Sequence, residues 1–229
     1  MVFEIIFYVL FALFVFYLMN QVRKPSRWTG RLFTSLMNKS HSELTDWGLS
    51  HITVDKGFTI LDVGCGGGRT IEKLAEKTVE GKVFGVDYAN GSVAAARSTN
   101  ARSIADGRVA IEQASVSKLP FPDDKFDLVT AVETQYYWPD PESDMREVFR
   151  VVRPGGTFAV IAESYAGGRN NWVQAPIMWM LRSKSLTAKQ NMALFEAAGF
   201  TDVQVFEETK EGWICITGKK AASADDGQN

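Results

Sequence analysis

Cysteine is nearly absent from this sequence, histidine equally so, and the cations do not outnumber the acids. Two cysteines, Cys65 and Cys215, are too few for a disulfide framework or a zinc site. No metal centre is expected. Two histidines, His41 and His51, are the whole supply of imidazole bases. Lysine and arginine total 25 against 27 acids, a net charge of -2. The first 41 residues hold five of the cations and one acid, Glu4, so the rest of the chain carries a net charge of -6. An acidic body of this kind is not expected to bind nucleic acid, where affinity comes largely from clustered cations meeting phosphates. There is no internal repeat. What is present is 229 residues with 45% hydrophobic, 23% charged and 12% aromatic side chains, enough for one folded domain with its own core.

The N-terminus departs from that average. Ile5 to Met19, IIFYVLFALFVFYLM, has no charge, proline or glycine, so every face of a helix here is apolar and needs lipid or protein around it. The 19 residues from Val2 to Asn20 reach roughly 28 Å as a helix, close to a hydrocarbon core of about 30 Å. Cations follow the run rather than precede it, and no small-residue cleavage site comes after it. The reading is therefore an uncleaved transmembrane anchor over residues 1–22, with a basic juxtamembrane segment over 23–41. The positive-inside rule then leaves a single-pass membrane protein with its main domain in the cytoplasm. A helix packed on the domain's own surface, or a monotopic anchor, is the competing account.

Ser40-His41-Ser42-Glu43 has the form of a capping box and starts a helix through Gly48 or beyond. Strand-like runs then alternate with helix-like stretches. The runs are Phe58 to Val63, Lys82 to Asp87, Val109 to Gln113, Phe126 to Val132 and Thr157 to Glu163; the stretches are Thr70 to Val79, Ser92 to Ala105 and Ser143 to Val152. Such alternation predicts an α/β fold, a doubly wound, Rossmann-like parallel sheet. A helix over Thr187 to Ala198 leads into Val203 to Glu208 and Trp213 to Gly218, a terminal antiparallel hairpin that brings the sheet to seven strands. The domain is expected over residues 42–220, with a flexible tail over 221–229.

Asp62-Val63-Gly64-Cys65-Gly66-Gly67-Gly68-Arg69-Thr70 is a strand end, a glycine-rich turn and a helix start. It is not the G-x-G-x-x-G dinucleotide fingerprint, because Arg69 stands at the last position, and no lysine with serine or threonine completes a P-loop. Its D-x-G-x-G-x-G pattern resembles motif I of the class I S-adenosylmethionine-dependent methyltransferases. Val83-Phe84-Gly85-Val86-Asp87 ends a strand in an acid 25 residues after Asp62, close to the spacing of a ribose-binding carboxylate. Leu119-Pro120-Phe121-Pro122-Asp123-Asp124-Lys125-Phe126-Asp127-Leu128-Val129 resembles the L-P-F-x-D-x-x-F-D-x-V run of the same family. Val148-Phe149-Arg150-Val151-Val152-Arg153-Pro154-Gly155-Gly156 resembles its helix and P-G-G turn. The nearest likeness is to the methyltransferase type 11 branch, which includes ubiquinone/menaquinone C-methyltransferases and other small-molecule and lipid methyltransferases.

The resemblance implies S-adenosyl-L-methionine as cofactor. It places Asp62, Gly64 and Gly66 beside the methionyl end, Asp87 on the ribose and Tyr88 against the adenine. Ser115 stands where the family carries an acid for the adenine amino group, a departure that weakens that contact, and Val116 offers its backbone N–H. Glu133 balances the cofactor's charge or takes a proton from the acceptor. Tyr136, Tyr137 and Trp138 face the sulfonium and the acceptor, as aromatic faces suit a cation, with core packing as the alternative for Tyr137 and Trp138. His41 is a candidate catalytic base in a region that closes over the acceptor, or an exposed helix-start histidine; His51 is assigned no chemistry. Ser164 to Ser185 is an apolar lid or a buried connecting helix. Three functions stay open: transfer of a methyl group to a hydrophobic, lipid-like small molecule at the cytosolic membrane face, the same chemistry on a soluble metabolite, and a non-catalytic S-adenosylmethionine-binding module.

Overall fold

The structure, a computed structural model, describes Phe7, Leu10 and residues 42–163, 165–168 and 183–222. In chain order the elements are α1 (Ser42–Ser50), β1 (Thr59–Val63), α2 (Arg69–Lys77), β2 (Lys82–Asp87), α3 (Asn90–Thr99), α4 (Ala101–Ala105), β3 (Val109–Gln113), β4 (Phe126–Val132), a 3-10 turn (Gln135–Tyr137), α5 (Pro141–Val151), β5 (Val152–Ala162), α6 (Ala188–Ala198), β6 (Thr201–Glu208) and β7 (Trp213–Lys219). The seven strands form one sheet in the order β3-β2-β1-β4-β5-β7-β6. The first five are parallel, and β7 runs antiparallel to both β5 and β6. The α/β expectation with a terminal hairpin therefore holds.

Successive side chains of a strand point to opposite faces, and both faces are covered. Ile60 of β1 and Leu128 of β4 join Leu44, Leu49, Ile71, Leu74 and Val93 from α1, α2 and α3. Leu61, Val63, Val129 and Ala131 of the same two strands join Met145 and Val148 of α5 and Phe195 of α6 on the other side. The chain winds outward from β1 through β2 and β3, then returns to place β4 on the opposite flank of β1. The strand order reverses between β1 and β4, and in an open parallel sheet the crevice at the carboxyl ends of such strands is where ligands bind.

Of the boundaries that differ from the sequence expectation, three have a visible cause. The helix expected over Ser92 to Ala105 breaks at Asn100, whose side-chain amide donates to the carbonyls of Ala96 (3.0 Å) and Gly68 (2.9 Å). That competition with the helical ladder ends α3 and pins it to the start of α2. Helix α5 begins at Pro141, two residues early, because Asp140 caps it and proline suits the first helical position. Strand β5 begins at Val152 rather than Thr157. Val152 pairs with Phe126 and Thr157 with Leu128, so the P-G-G segment bulges out within the strand.

Among the described residues no helix is long and apolar enough to cross a membrane. The anchor expected over 1–22 lies outside the described residues except for Phe7 and Leu10, which are helical and exposed. The basic segment 23–41, His41, most of the Ser164 to Ser185 segment and nearly all of the tail also lie outside them.

The two runs Leu119–Asp127 and Val148–Gly156 meet through Arg150. Its guanidinium donates to both oxygens of Glu147 (2.8 Å each), to the carbonyls of Leu119 and Phe121, and to Asp123 (2.7 Å). Glu147 in turn accepts from the Leu119 N–H (2.8 Å). One side chain thus ties the loop before β4 to α5. Because a forked guanidinium satisfies several oxygens at once, Arg150→Ala is expected to cost about 2–3 kcal/mol of stability. Urea denaturation showing a loss below roughly 0.5 kcal/mol, the level of an ordinary surface pair, would contradict this.

Candidate active site

The turn after β1 is built by the end of β2. The N–H groups of Gly64 and Cys65 both donate to the Val86 carbonyl (2.8 and 2.9 Å), and the N–H of Gly66 donates to the Asp87 carboxylate (3.0 Å). Gly64 has φ +73°, and a Cβ on it would lie 2.1 Å from the Thr134 hydroxyl. Gly66, at φ +52°, has no atom of the described residues beyond its chain neighbours within 4 Å of where its Cβ would be. Gly64 is therefore required by packing from the β4 side, whereas Gly66 borders open space that a side chain would occupy. Cys65 is buried and its thiol is pushed well above its usual range by burial, so the turn offers no nucleophile.

Asp87 is buried, and each carboxylate oxygen already accepts one backbone N–H, from Gly66 and from Ala89 (2.8 Å). Burial raises its pKa, opposed by those two N–H groups and by Ser92. An ionised carboxyl has about four acceptor positions, so each oxygen keeps capacity for a further donor such as a ribose hydroxyl. Tyr88, next along, is 47% exposed with its backbone carbonyl held by Gln113 (3.0 Å). Past β3, the Ser115 hydroxyl accepts from the Ser117 N–H (3.2 Å), while Val116 is buried in the core. The open cradle over Gly66 and the acceptor-rich Asp87 beneath it fit a nucleoside with a vicinal diol.

Asp62 is buried at the base of the turn, where it accepts a hydrogen bond from the Thr130 hydroxyl (2.7 Å). Its pKa is raised from 3.8 to about 7; burial is the main cause, the Thr130 bond opposes it, and the charge of Asp87 adds to it. Between those two values the folded protein holds a proton that the unfolded chain releases, so Asp62 lowers stability progressively as pH rises from about 4 to about 7. Asp62→Asn removes that cost and keeps an acceptor for Thr130. Thermal melts of the cofactor-free protein are expected to show the variant more stable than wild type at pH 8 and near wild type at pH 4. A variant less stable at pH 8 would show instead that the carboxylate is favourably held.

Across the crevice, Glu133 follows β4 with φ +56°, a left-handed conformation uncommon outside glycine. Its carboxylate accepts from the Glu163 N–H (2.5 Å) and from the Tyr136 hydroxyl (2.7 Å). Tyr136 is buried, and burial together with the Glu133 charge pushes its phenol well above the usual range. It is a fixed donor rather than a base. Tyr137 is half-buried, its ring edge-on to Tyr136 at 4.6 Å. Trp138 stacks on Phe158 at 6.2 Å within the core, which favours the packing alternative for that residue. His51 stacks on Phe206 and meets Trp47 edge-on, packing α1 against β6.

The structure thus gathers Asp62, Gly64, Gly66 and Asp87 around one turn, puts Tyr88, Ser115 and Val116 at the ends of β2 and β3, and sets Glu133, Tyr136 and Tyr137 on the β4 edge. Thr134, pressed on Gly64, joins the two halves. Neither Thr134 nor Thr130 is marked by any motif; their positions on and after β4 are the sole signal.

Residues 61–160 match the methyltransferase domain family. Similar proteins include an uncharacterized methyltransferase, YdaC, of Bacillus subtilis, 25% identical over 82% of this chain and 97% of its own length. The ubiquinone/menaquinone biosynthesis C-methyltransferase UbiE of Geobacter sulfurreducens is 38% identical over 47% of this chain and 42% of its own. The quinone branch is one among several that match, and the chain spans less than half the length of most of these curated relatives. In architecture it is similar to a SAM-dependent methyltransferase from Aquifex aeolicus, with a TM-score of 0.69, 22% identity and coverage of 82% of this chain and 97% of that one. The glycine turn, the acid after β2 and the sheet order are all similar to those of S-adenosylmethionine-dependent methyltransferases, and residues 61–160 of the chain match a methyltransferase domain.

Proposed function

We propose that the protein transfers a methyl group from S-adenosylmethionine to a hydrophobic, lipid-like small molecule, reached at the cytosolic face of a membrane in which residues 1–22 anchor it. The observation that carries the transfer is the Gly66 N–H bound to Asp87 beneath an open cradle, a site shaped for a nucleoside. When bound, the cofactor supplies an electrophilic methyl group on a sulfonium. The residues do the rest by position, since in-line displacement needs the acceptor atom held at about 3 Å rather than a covalent intermediate. Asp87 would accept from the ribose hydroxyls, Tyr88, Ser115 and the Val116 N–H would hold the adenine, and Gly64 and Gly66 would leave room for the methionyl chain.

Glu133 supplies negative charge on one side of the crevice, and Asp62, on the other, would be drawn into its ionised form by a bound cation. Both Glu133 oxygens are engaged, yet each keeps acceptor capacity, so it serves as the proton acceptor where the methyl acceptor must lose one. Tyr136 holds that carboxylate in place and Tyr137 offers an aromatic wall, with His41 the further candidate base. An apolar acceptor is supported by the uncharged run from Ile5 to Met19 and by likeness to a protein named for quinone biosynthesis. Anchoring confines enzyme and membrane-dissolved acceptor together and so raises their effective concentration.

Untargeted mass spectrometry after incubating full-length protein and isotope-labelled cofactor with a cellular extract tests this. Labelled products one methyl heavier are expected in the organic phase, and deletion of Met1 to Val22 is expected to lower turnover on vesicles without changing cofactor affinity. Products confined to the aqueous phase would replace the lipid-like acceptor with a soluble metabolite. Unchanged turnover on vesicles would remove the anchor from the account.

A further inference from the structure

The turn after β4 carries one more polar side chain, which the transfer chemistry above leaves unused. Gln135 is 5% exposed, and its side-chain nitrogen has no hydrogen-bond partner among the described residues. A buried amide donor left unpaired has given up its water for nothing, and native structures keep such groups mainly where a ligand or an ordered water completes them.

Its surroundings fix where it stands. Thr134, one residue earlier, presses on Gly64. Tyr136, one residue later, is tied through its hydroxyl to Glu133 and through its carbonyl to the Lys184 N–H (2.7 Å). The backbone of Gln135 is held by the Trp138 N–H on its carbonyl (3.1 Å). The unpaired donor therefore belongs to a rigid turn between the glycine turn and the returning segment 183–187. Asp87, Glu133 and Glu163, with Asp62 once ionised, give this end of the sheet a negative character. That suits a sulfonium and disfavours any electron-rich oxygen brought in beside it. A neutral N–H donor offsets the second effect without opposing the first.

We propose that the Gln135 carboxamide donates a hydrogen bond to an oxygen of the methyl acceptor, adjacent to or at the atom that receives the methyl group. The acceptor is then an oxygen-bearing molecule such as a phenol, an enol or a carbonyl compound rather than a plain hydrocarbon. The assignment rests on the methyl-transfer reading of the site. The cofactor's carboxylate offers the same chemistry, so the test separates the two sources.

Gln135→Met keeps the length of the side chain and removes the donor; Gln135→Glu keeps its shape and replaces the donor by an acceptor. For full-length protein, transfer of labelled methyl into the organic phase of an extract is measured beside calorimetric binding of S-adenosylhomocysteine and of methylthioadenosine, which lacks the amino-acid end. The expected result is transfer reduced at least tenfold in both variants, with both nucleosides bound within about twofold of wild type and thermal melts showing an intact fold. Weaker binding of S-adenosylhomocysteine with unchanged methylthioadenosine would give the donor to the cofactor carboxylate and overturn the acceptor assignment. Wild-type rates in Gln135→Met would overturn it outright. A wild-type protein that binds the cofactor but methylates nothing in any extract would sink the transfer reading and this assignment with it, an outcome recognisable because nucleoside binding persists.

Discussion

Replacing Asp87 with alanine will weaken cofactor binding by about 1.5–3 kcal/mol, roughly 10- to 100-fold, because hydrogen bonds to a charged acceptor fall in that range. The carboxylate does two jobs that alanine cannot do. It takes the N–H groups of Gly66 and Ala89, fixing the turn, and it keeps acceptor capacity on each oxygen for the ribose diol. Asp87→Asn separates them, since a carboxamide retains one oxygen acceptor but presents an NH₂ to the other side, where it faces a backbone donor. An intermediate loss is expected for Asn and the full loss for Ala. Titration with S-adenosylhomocysteine checks this, alongside circular dichroism to confirm folding. An unaltered dissociation constant in a folded Asp87→Ala protein would take the ribose away from this residue.

The paired substitutions Gly64→Ala and Gly66→Ala will fail in different ways. At Gly64 the new methyl meets the Thr134 side chain at 2.1 Å from its hydroxyl and 2.7 Å from its Cβ, in a backbone conformation closed to most side chains. Neighbour and backbone both resist, so a stability loss of about 3 kcal/mol or more is expected, combining left-handed strain with overpacking. At Gly66 no described residue beyond the chain neighbours stands within 4 Å, and the fold loses only the conformational cost of about 1–2 kcal/mol. Its methyl instead fills the cradle, so cofactor binding is expected to vanish in a protein that still melts cooperatively. Chemical denaturation and nucleoside titration of the two variants give the comparison. Should Gly66→Ala bind the cofactor normally, the open space beside it would not be the cofactor's path.

Most of the sheet was legible because each strand reads as a β-branched and aromatic run, and both faces of the parallel strands demand apolar residues. The glycine turn and Asp87 were legible because backbone angles and a carboxylate at strand spacing leave local marks. What escaped is decided by partners distant in sequence. The break at Asn100 depends on the Gly68 carbonyl, 32 residues away, and the early start of β5 depends on the pairing of Val152 with Phe126. The turn after β4 is the clearest case. In its sequence Glu133-Thr134-Gln135-Tyr136-Tyr137-Trp138, the acid and the three aromatic residues all have a claim on a cationic ligand, and Thr134 and Gln135 have no mark. Tertiary contacts then divide them: Trp138 goes to the core on Phe158, Tyr136 donates to Glu133, Thr134 closes on Gly64, and Gln135 keeps an unpaired donor.

Calorimetric titration of the full-length protein with S-adenosylmethionine between pH 6 and pH 8 tests the central claim most directly. A cation bound near Asp62 favours the ionised form of a carboxyl whose pKa is otherwise raised to about 7. Binding should therefore be one-to-one, tighten as pH rises across this interval with release of a proton, and lose that pH dependence in Asp62→Asn. Folded protein that gives no heat with S-adenosylmethionine at any pH, yet binds a nicotinamide dinucleotide or a nucleoside triphosphate, would contradict it.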